Sequence, residues 1–139
     1  MALLLLSNWQ SRMVEALFNQ PNYLAAKKTL DAVALRHEAI ASNIANLETP
    51  GYRRIDLSPG FQSELDRACS SQNGQQIASL QPTLVPDTTA LPLGRDGNTV
   101  SLEHELAQLN QNSLVHTLET QLVSSTLFKL RMAISGKSI

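Results

Sequence analysis

The chain is predicted to be mainly α: long N- and C-terminal helices packed as a coiled-coil-like pair, joined by an extended Pro/Gly-rich middle segment containing a short helix and possible short strands. Three observations predict this. A stripe that is aliphatic at all but His37 recurs three and four apart from Leu30 to Leu47, aliphatic stripes run along one helical wheel from Leu102 to Ile134, and between these regions proline and glycine interrupt every longer run. Composition points the same way. With 42% hydrophobic but only 4% aromatic residues, the core must come from Leu, Ile, Val and Ala, which suit long helix-helix seams.

At 139 residues the chain has the size of one ordinary domain. A net charge of -1 leaves no basic surplus to neutralise phosphates, so nucleic acid is not an expected partner. Cys69 stands alone, without a disulfide partner or metal-ligand spacing, and reads as an inert side chain. The opening run Ala2 to Leu6 is too short for a signal peptide and lacks a charged start and a small-residue cleavage site. Any export is therefore expected to proceed without a cleaved signal.

In chain order, Ser7 with Gln10 makes a capping-box pattern for a first helix whose apolar side is Met13, Val14, Leu17 and Phe18. Pro21 either ends that helix or opens the next at its first position. Leu30, Val33, Ile40, Ile44 and Leu47 then form the packing stripe of a long helix, interrupted by His37, which reads as a packed, hydrogen-bonded side chain. The helix is expected to end near Asn46-Leu47, because Thr49 precedes Pro50 and is pushed toward extended geometry. Beyond it, Pro59, Pro82, Pro86 and Pro92 with interleaved glycines forbid a long helix. A short helix is predicted around Phe61 to Ala68, a solvated, mobile stretch over Cys69 to Gln76, short strands at Ile77–Leu80 and Thr83–Val85, and a turn at Asp96-Gly97.

Ser101 caps the final helix, with Glu103 and Glu105 in a solvated first turn where the helix dipole favours negative charge, and Gly136 can close it. One face of this helix carries Leu102, Leu106, Leu109, Val123, Leu127, Leu130 and Ile134, expected to pack on the N-terminal helix. A second stripe carries Leu114, Leu118, Leu122 and Met132. So small a chain cannot cover both, and another subunit is the expected neighbour of the second. The organisation expected is N-terminal helical segments over 1–50, broken near Pro21, an extended middle over 51–99 and the C-terminal helix over 100–139, the two terminal regions forming one helical domain.

No nucleophile elbow, phosphate-binding glycine loop, zinc-spaced histidine pair or calcium loop is found. The expectation is no enzyme, no cofactor, no metal and no small-molecule substrate. The rival to a self-assembling subunit is a cytosolic α-helical adaptor or secretion chaperone, which would form a small closed oligomer.

One segment is more specific. Ser42-Asn43-Ile44-Ala45-Asn46-Leu47-Glu48-Thr49-Pro50-Gly51-Tyr52 resembles the signature of the bacterial flagellar rod, hook and hook-associated proteins, with Asn43, Asn46, Thr49, Pro50, Gly51 and Tyr52 as its assembly motif. The residue types make sense without the family. Asn43 and Asn46 share one helix face and can tie the helix end to a returning chain, Pro50 and Gly51 set a sharp exit, and Tyr52 offers a flat ring with a polar tip. The stretch Gly97 to Leu106 and the short length resemble the proximal-rod members, with another rod or hook axial protein as the alternative within the family, whereas residues 1–29 depart from the pattern. The resemblance implies a structural subunit of the basal-body proximal rod in the periplasm, stacking helically with its own copies and other rod proteins around an export channel. It further implies contacts with the rod-to-ring adaptor, the MS ring and export gate, and passage through the flagellar type III export apparatus.

Overall fold

The computed structural model describes residues 20–135, the side chains of Ala133 and Ile134 excepted. The helix expected after Ser7, the side chain of the packing residue Ile134 and the closing Gly136 lie outside what is described.

Helix α1 spans Pro21–Ala45 and opens with Pro21 in its first turn, where the missing N–H breaks no helical bond. Asn46 caps its C-terminus. Strand β1 (Ile55–Leu57) follows, then helix α2 (Pro59–Ser70), helix α3 (Gly74–Ser79), strand β2 (Leu84–Pro86) and the long helix α4 (Leu102–Ser135). The strands pair antiparallel, Ile55 opposite Pro86, Asp56 opposite Val85 and Leu57 opposite Leu84. Pairing continues at both ends through Ser58 N–H to the Thr83 carbonyl and Asp87 N–H to the Arg54 carbonyl, each 2.8 Å.

The apolar core is not in the seam between the long helices. It joins α1 to the middle segment: Ala32, Phe61, Leu65, Ala68 and Ile77 are buried together, and Leu24, Leu57 and Leu80 pack against them. Burying Phe61, Leu65 and Ile77 stabilises the fold by about 1.5–3 kcal/mol each. Ile77–Leu80, expected as a strand, is instead mostly helix, because the Asn73 side chain accepts from Gln76 N–H and Ile77 fills the core. The stretch predicted to be solvated and mobile, Cys69 to Gln76, is mostly exposed as expected and runs through the end of α2, a turn over Ser71 to Asn73 and the start of α3. Burial, with Asp66 nearby, pushes the Cys69 thiol up.

Helix α4 lies along α1, but only part of the expected leucine-rich face turns inward. Glu105 and Asn112 are buried there, while Leu109, Val123 and Leu130 are half-buried. Leu102, Leu106 and Leu127, expected at the seam, are 42%, 46% and 41% exposed. The reason is polar: Glu105, expected in a solvated turn, has a buried partner to meet, and bringing it inward turns Leu102 and Leu106 away. Val33 and Ile40 are buried in α1 and Leu30 and Ile44 half-buried, whereas Leu47 lies past the helix end and His37 stands in solvent rather than packed. Leu114, Leu118 and Leu122 are exposed, but Met132 is half-buried and does not extend their stripe.

Candidate functional site: a polar joint and an exposed leucine face

Where α1 ends, the chain turns through Asn46 to Gly51 and returns as β1. Gly51 makes this turn at φ +70°, a left-handed conformation that glycine adopts without steric cost. The turn is held from the far side of the middle segment. The buried Asn98 amide donates from Nδ2 to the carbonyls of Asn46, Leu47 and Thr49, each at 2.9 Å, sharing two hydrogens among three acceptors, of which Asn46 and Thr49 also accept the backbone N–H of Thr49 and Tyr52. Gly51 N–H donates to the Asp96 carbonyl and Thr99 N–H to the Tyr52 carbonyl.

Asn43, fully buried, does what a strand partner would do. Its Oδ1 accepts from Ile55 N–H at 3.0 Å, and its Nδ2 donates to the Ile55 carbonyl at 2.8 Å and to Glu105 at 3.1 Å. The Tyr52 hydroxyl lies 3.3 Å from Asn43 Oδ1 and 3.1 Å from Ser42 Oγ, so its polar tip is engaged within the chain. Asn46 stays local, donating to the Ser42 carbonyl and accepting from the Thr49 hydroxyl. Pro50 is exposed at the apex of the turn.

Beside this turn lies Arg54, 4% exposed. Its Nε donates to Glu105 at 2.7 Å, Nη1 to Asp87 at 2.8 Å and Nη2 to Asp56 at 2.8 Å, so one guanidinium joins β1, the residue after β2 and the first turn of α4. Arg36 of α1 completes the cluster with a 2.8 Å bond to Asp56. Burial works against the Arg54 charge, yet the bonds and charges of Asp56 and Glu105 hold its pKa above the ordinary value. Burial likewise raises the Asp56 carboxyl, but bonds from Arg54, the Leu57 amide and Arg36 outweigh it and hold Asp56 below the usual carboxylate range. Asp87 is held low by the Thr89 hydroxyl first, against a smaller effect of burial, with the Thr89 amide and Arg54 adding to it. Among the described residues every buried side-chain nitrogen and oxygen has a partner.

The sequence reading missed Arg54, Asp56, Asp87, Asn98, Glu105 and Asn112. Two signals were present. Arg54 and Asp56 alternate with Ile55 and Leu57, which puts the charges on one side of a strand. Glu105 and Asn112 stand seven apart, on one helix face.

The chemistry of this joint is cohesive, not reactive: complementary charges hold one another, and a side-chain amide substitutes for backbone pairing. Combined with a long helix that leaves leucines in solvent, it defines a structural subunit built to be assembled. The comparisons with known proteins agree. Residues 24–53, which hold most of α1, the turn and Tyr52, match the family model described as flagella basal body rod protein. The chain is 30% identical over 130 aligned positions to the flagellar basal body rod protein FlgB of Salmonella typhimurium, covering 79% of this chain and 90% of the relative. It is 29% identical over 119 positions to FlgB of Escherichia coli, covering 73% and 83%. With FlgB of Aquifex aeolicus the figures are 27% over 114 positions, 81% and 91%. The chain belongs to the FlgB group of flagellar basal body rod proteins. This is a family of structural proteins, not of enzymes, located in the basal body with other rod components.

Proposed function

We infer that this chain is a structural subunit of the proximal rod, assembling helically with its own copies and other axial proteins into a drive shaft around an export channel, and that it catalyses nothing. In this reading residues 1–50 and 100–139 act as one helical unit, and 51–99 buttress it. The observation that carries it is the exposed face of α4: Leu114, Leu118 and Leu122 are 61%, 56% and 51% exposed, one turn apart on a single side. A row of leucines in water lowers its free energy when a neighbour covers it, and contacts that repeat head-to-tail without closing produce a helical filament. The signature Asn43, Asn46, Thr49, Pro50, Gly51 and Tyr52 has a supporting role, holding the end of α1 and the start of α4 in fixed relation so that each copy presents the same face. Family membership supports a periplasmic position, contacts with the rod-to-ring adaptor, the MS ring and export gate, and delivery by the flagellar type III apparatus without signal cleavage.

The test replaces Leu114, Leu118 and Leu122 with Glu in the source bacterium and combines motility with electron microscopy of isolated basal bodies. The expected result is loss of the rod, while the purified variant keeps its circular dichroism. Full motility with normal rods would overturn the reading. Light scattering at rising concentration separates open growth from the closed oligomer of an adaptor or chaperone.

A further inference from the structure

Helix α4 turns Glu105 and Asn112 fully inward while Leu102 and Leu106 stay largely in solvent, and the contradiction has a local cause. Among the described α4 residues, Glu105 and Asn112 are the buried ones. Seven residues apart, they share one side of the helix, whereas Leu102 and Leu106 lie about 60° and about 100° round from Glu105 at 100° per residue. Burial of apolar area alone favours turning those leucines onto α1. Each polar residue has a partner reachable from only one orientation: Glu105 receives Arg54 Nε at 2.7 Å and Asn43 Nδ2 at 3.1 Å, and Asn112 Nδ2 donates to the Val33 carbonyl of α1 at 2.9 Å. A turn of α4 would break all three bonds, swinging Glu105 and Asn112 away from their partners and leaving the buried Arg54 Nε–H and Asn43 amide without the carboxylate they share.

We propose that Glu105 and Asn112 are specificity-determining residues of helix pairing: together they select which face of α4 meets α1, and so keep the leucines of α4 outward. A single buried polar residue can fix register and partner choice between helices at some cost in stability, and here the pair does so within one chain. The consequence for assembly rests on the proposed function, since it is the outward leucines that a neighbouring copy would cover. The face selection itself is a property of the isolated chain and is tested there.

The experiment is thiol labelling of the purified full chain in a Cys69→Ser background, with one new cysteine at Leu106→Cys, facing out, or Val115→Cys, half-buried at the seam. N-ethylmaleimide is the probe. In the parent chain the thiol at position 106 should react about tenfold faster than that at 115, as expected for an open site against one that needs local opening. Adding Arg54→Met, Glu105→Met and Asn112→Leu removes the polar selection without leaving a stranded charge, and the order should reverse. Equal rates at both positions in the parent chain would overturn the proposal, as would an unchanged order in the triple variant with helix content retained. Should the triple variant lose its helices, Asn112→Leu alone decides, because it leaves the Arg54 cluster intact: the difference between the two positions should shrink by about threefold or more, and an unaltered difference refutes the proposal. Rod assembly enters none of these readings, so its failure would leave them standing.

Discussion

Replacing Arg54 by Met removes one guanidinium and asks what the buried cluster is worth. Its three acceptors are not equally dependent on it. Asp56 keeps its 2.8 Å bond from Arg36 and the Leu57 amide, Asp87 keeps both Thr89 donors, and at 19% and 20% side-chain exposure both carboxylates can recruit water. Glu105 is fully buried and would keep only the Asn43 amide. The loss therefore concentrates on one stranded carboxylate, and breaking such a pair costs about 3–5 kcal/mol, a large part of the roughly 5–15 kcal/mol that holds a domain together. With a urea slope of about 1–3 kcal/mol per molar, the unfolding midpoint should fall by about 1–5 M. The assay is urea unfolding followed by circular dichroism. Adding Glu105→Met should recover most of the loss, because it removes the stranded charge and supplies apolar contact in its place. A single variant that loses less than about 1 kcal/mol, or a double variant less stable than the single, would refute the argument that Glu105 depends on Arg54.

Three further outcomes follow from the same geometry. Asp56 and Asp87 have folded pKa values below the ordinary 3.8, so their contribution is fully present above that value and is lost as pH falls through it toward the folded values; urea midpoints taken from about pH 6 to about pH 2.5 should decline, and Asp56→Asn should flatten the decline. Asn98→Ala removes the donor shared by the carbonyls of Asn46, Leu47 and Thr49; Asn46 and Thr49 keep the backbone N–H of Thr49 and Tyr52, so the loss falls mainly on Leu47 and should be about 1–3 kcal/mol by thermal unfolding. Gly97 sits at φ +74°, and a methyl there would meet only the Gly51 Cα at 3.9 Å, so Gly97→Ala should cost about 1–2 kcal/mol from backbone strain alone, with the circular dichroism spectrum unchanged.

Both long helices were legible because their signals are local. Pro21, the three-four spacing through Ile44 and the Thr49-Pro50-Gly51 exit bound α1 to within a residue or two, and Ser101 caps α4 as its position predicts, its hydroxyl accepting from His104 N–H at 3.3 Å. The helix around Phe61 was legible for the same reason. The reading of Ile77–Leu80 as a strand failed because four residues carry too little periodicity to tell a strand from a helical turn, and the decisive fact, Asn73 as a cap, lay just upstream. The signature at Asn43 to Tyr52 marked the joint but not its contents, since Asn98 reaches it from 49 to 52 residues away and Glu105 reaches Asn43 from 62.

The sequence by itself determined the helical periods, the break after α1, the cap of α4 and the family, all properties of neighbours along the chain. Only the tertiary structure decided which face of α4 turns inward. That choice is a competition between leucines seeking cover and a buried arginine requiring its glutamate, and a wheel drawn from one helix cannot see the partner brought to it from β1.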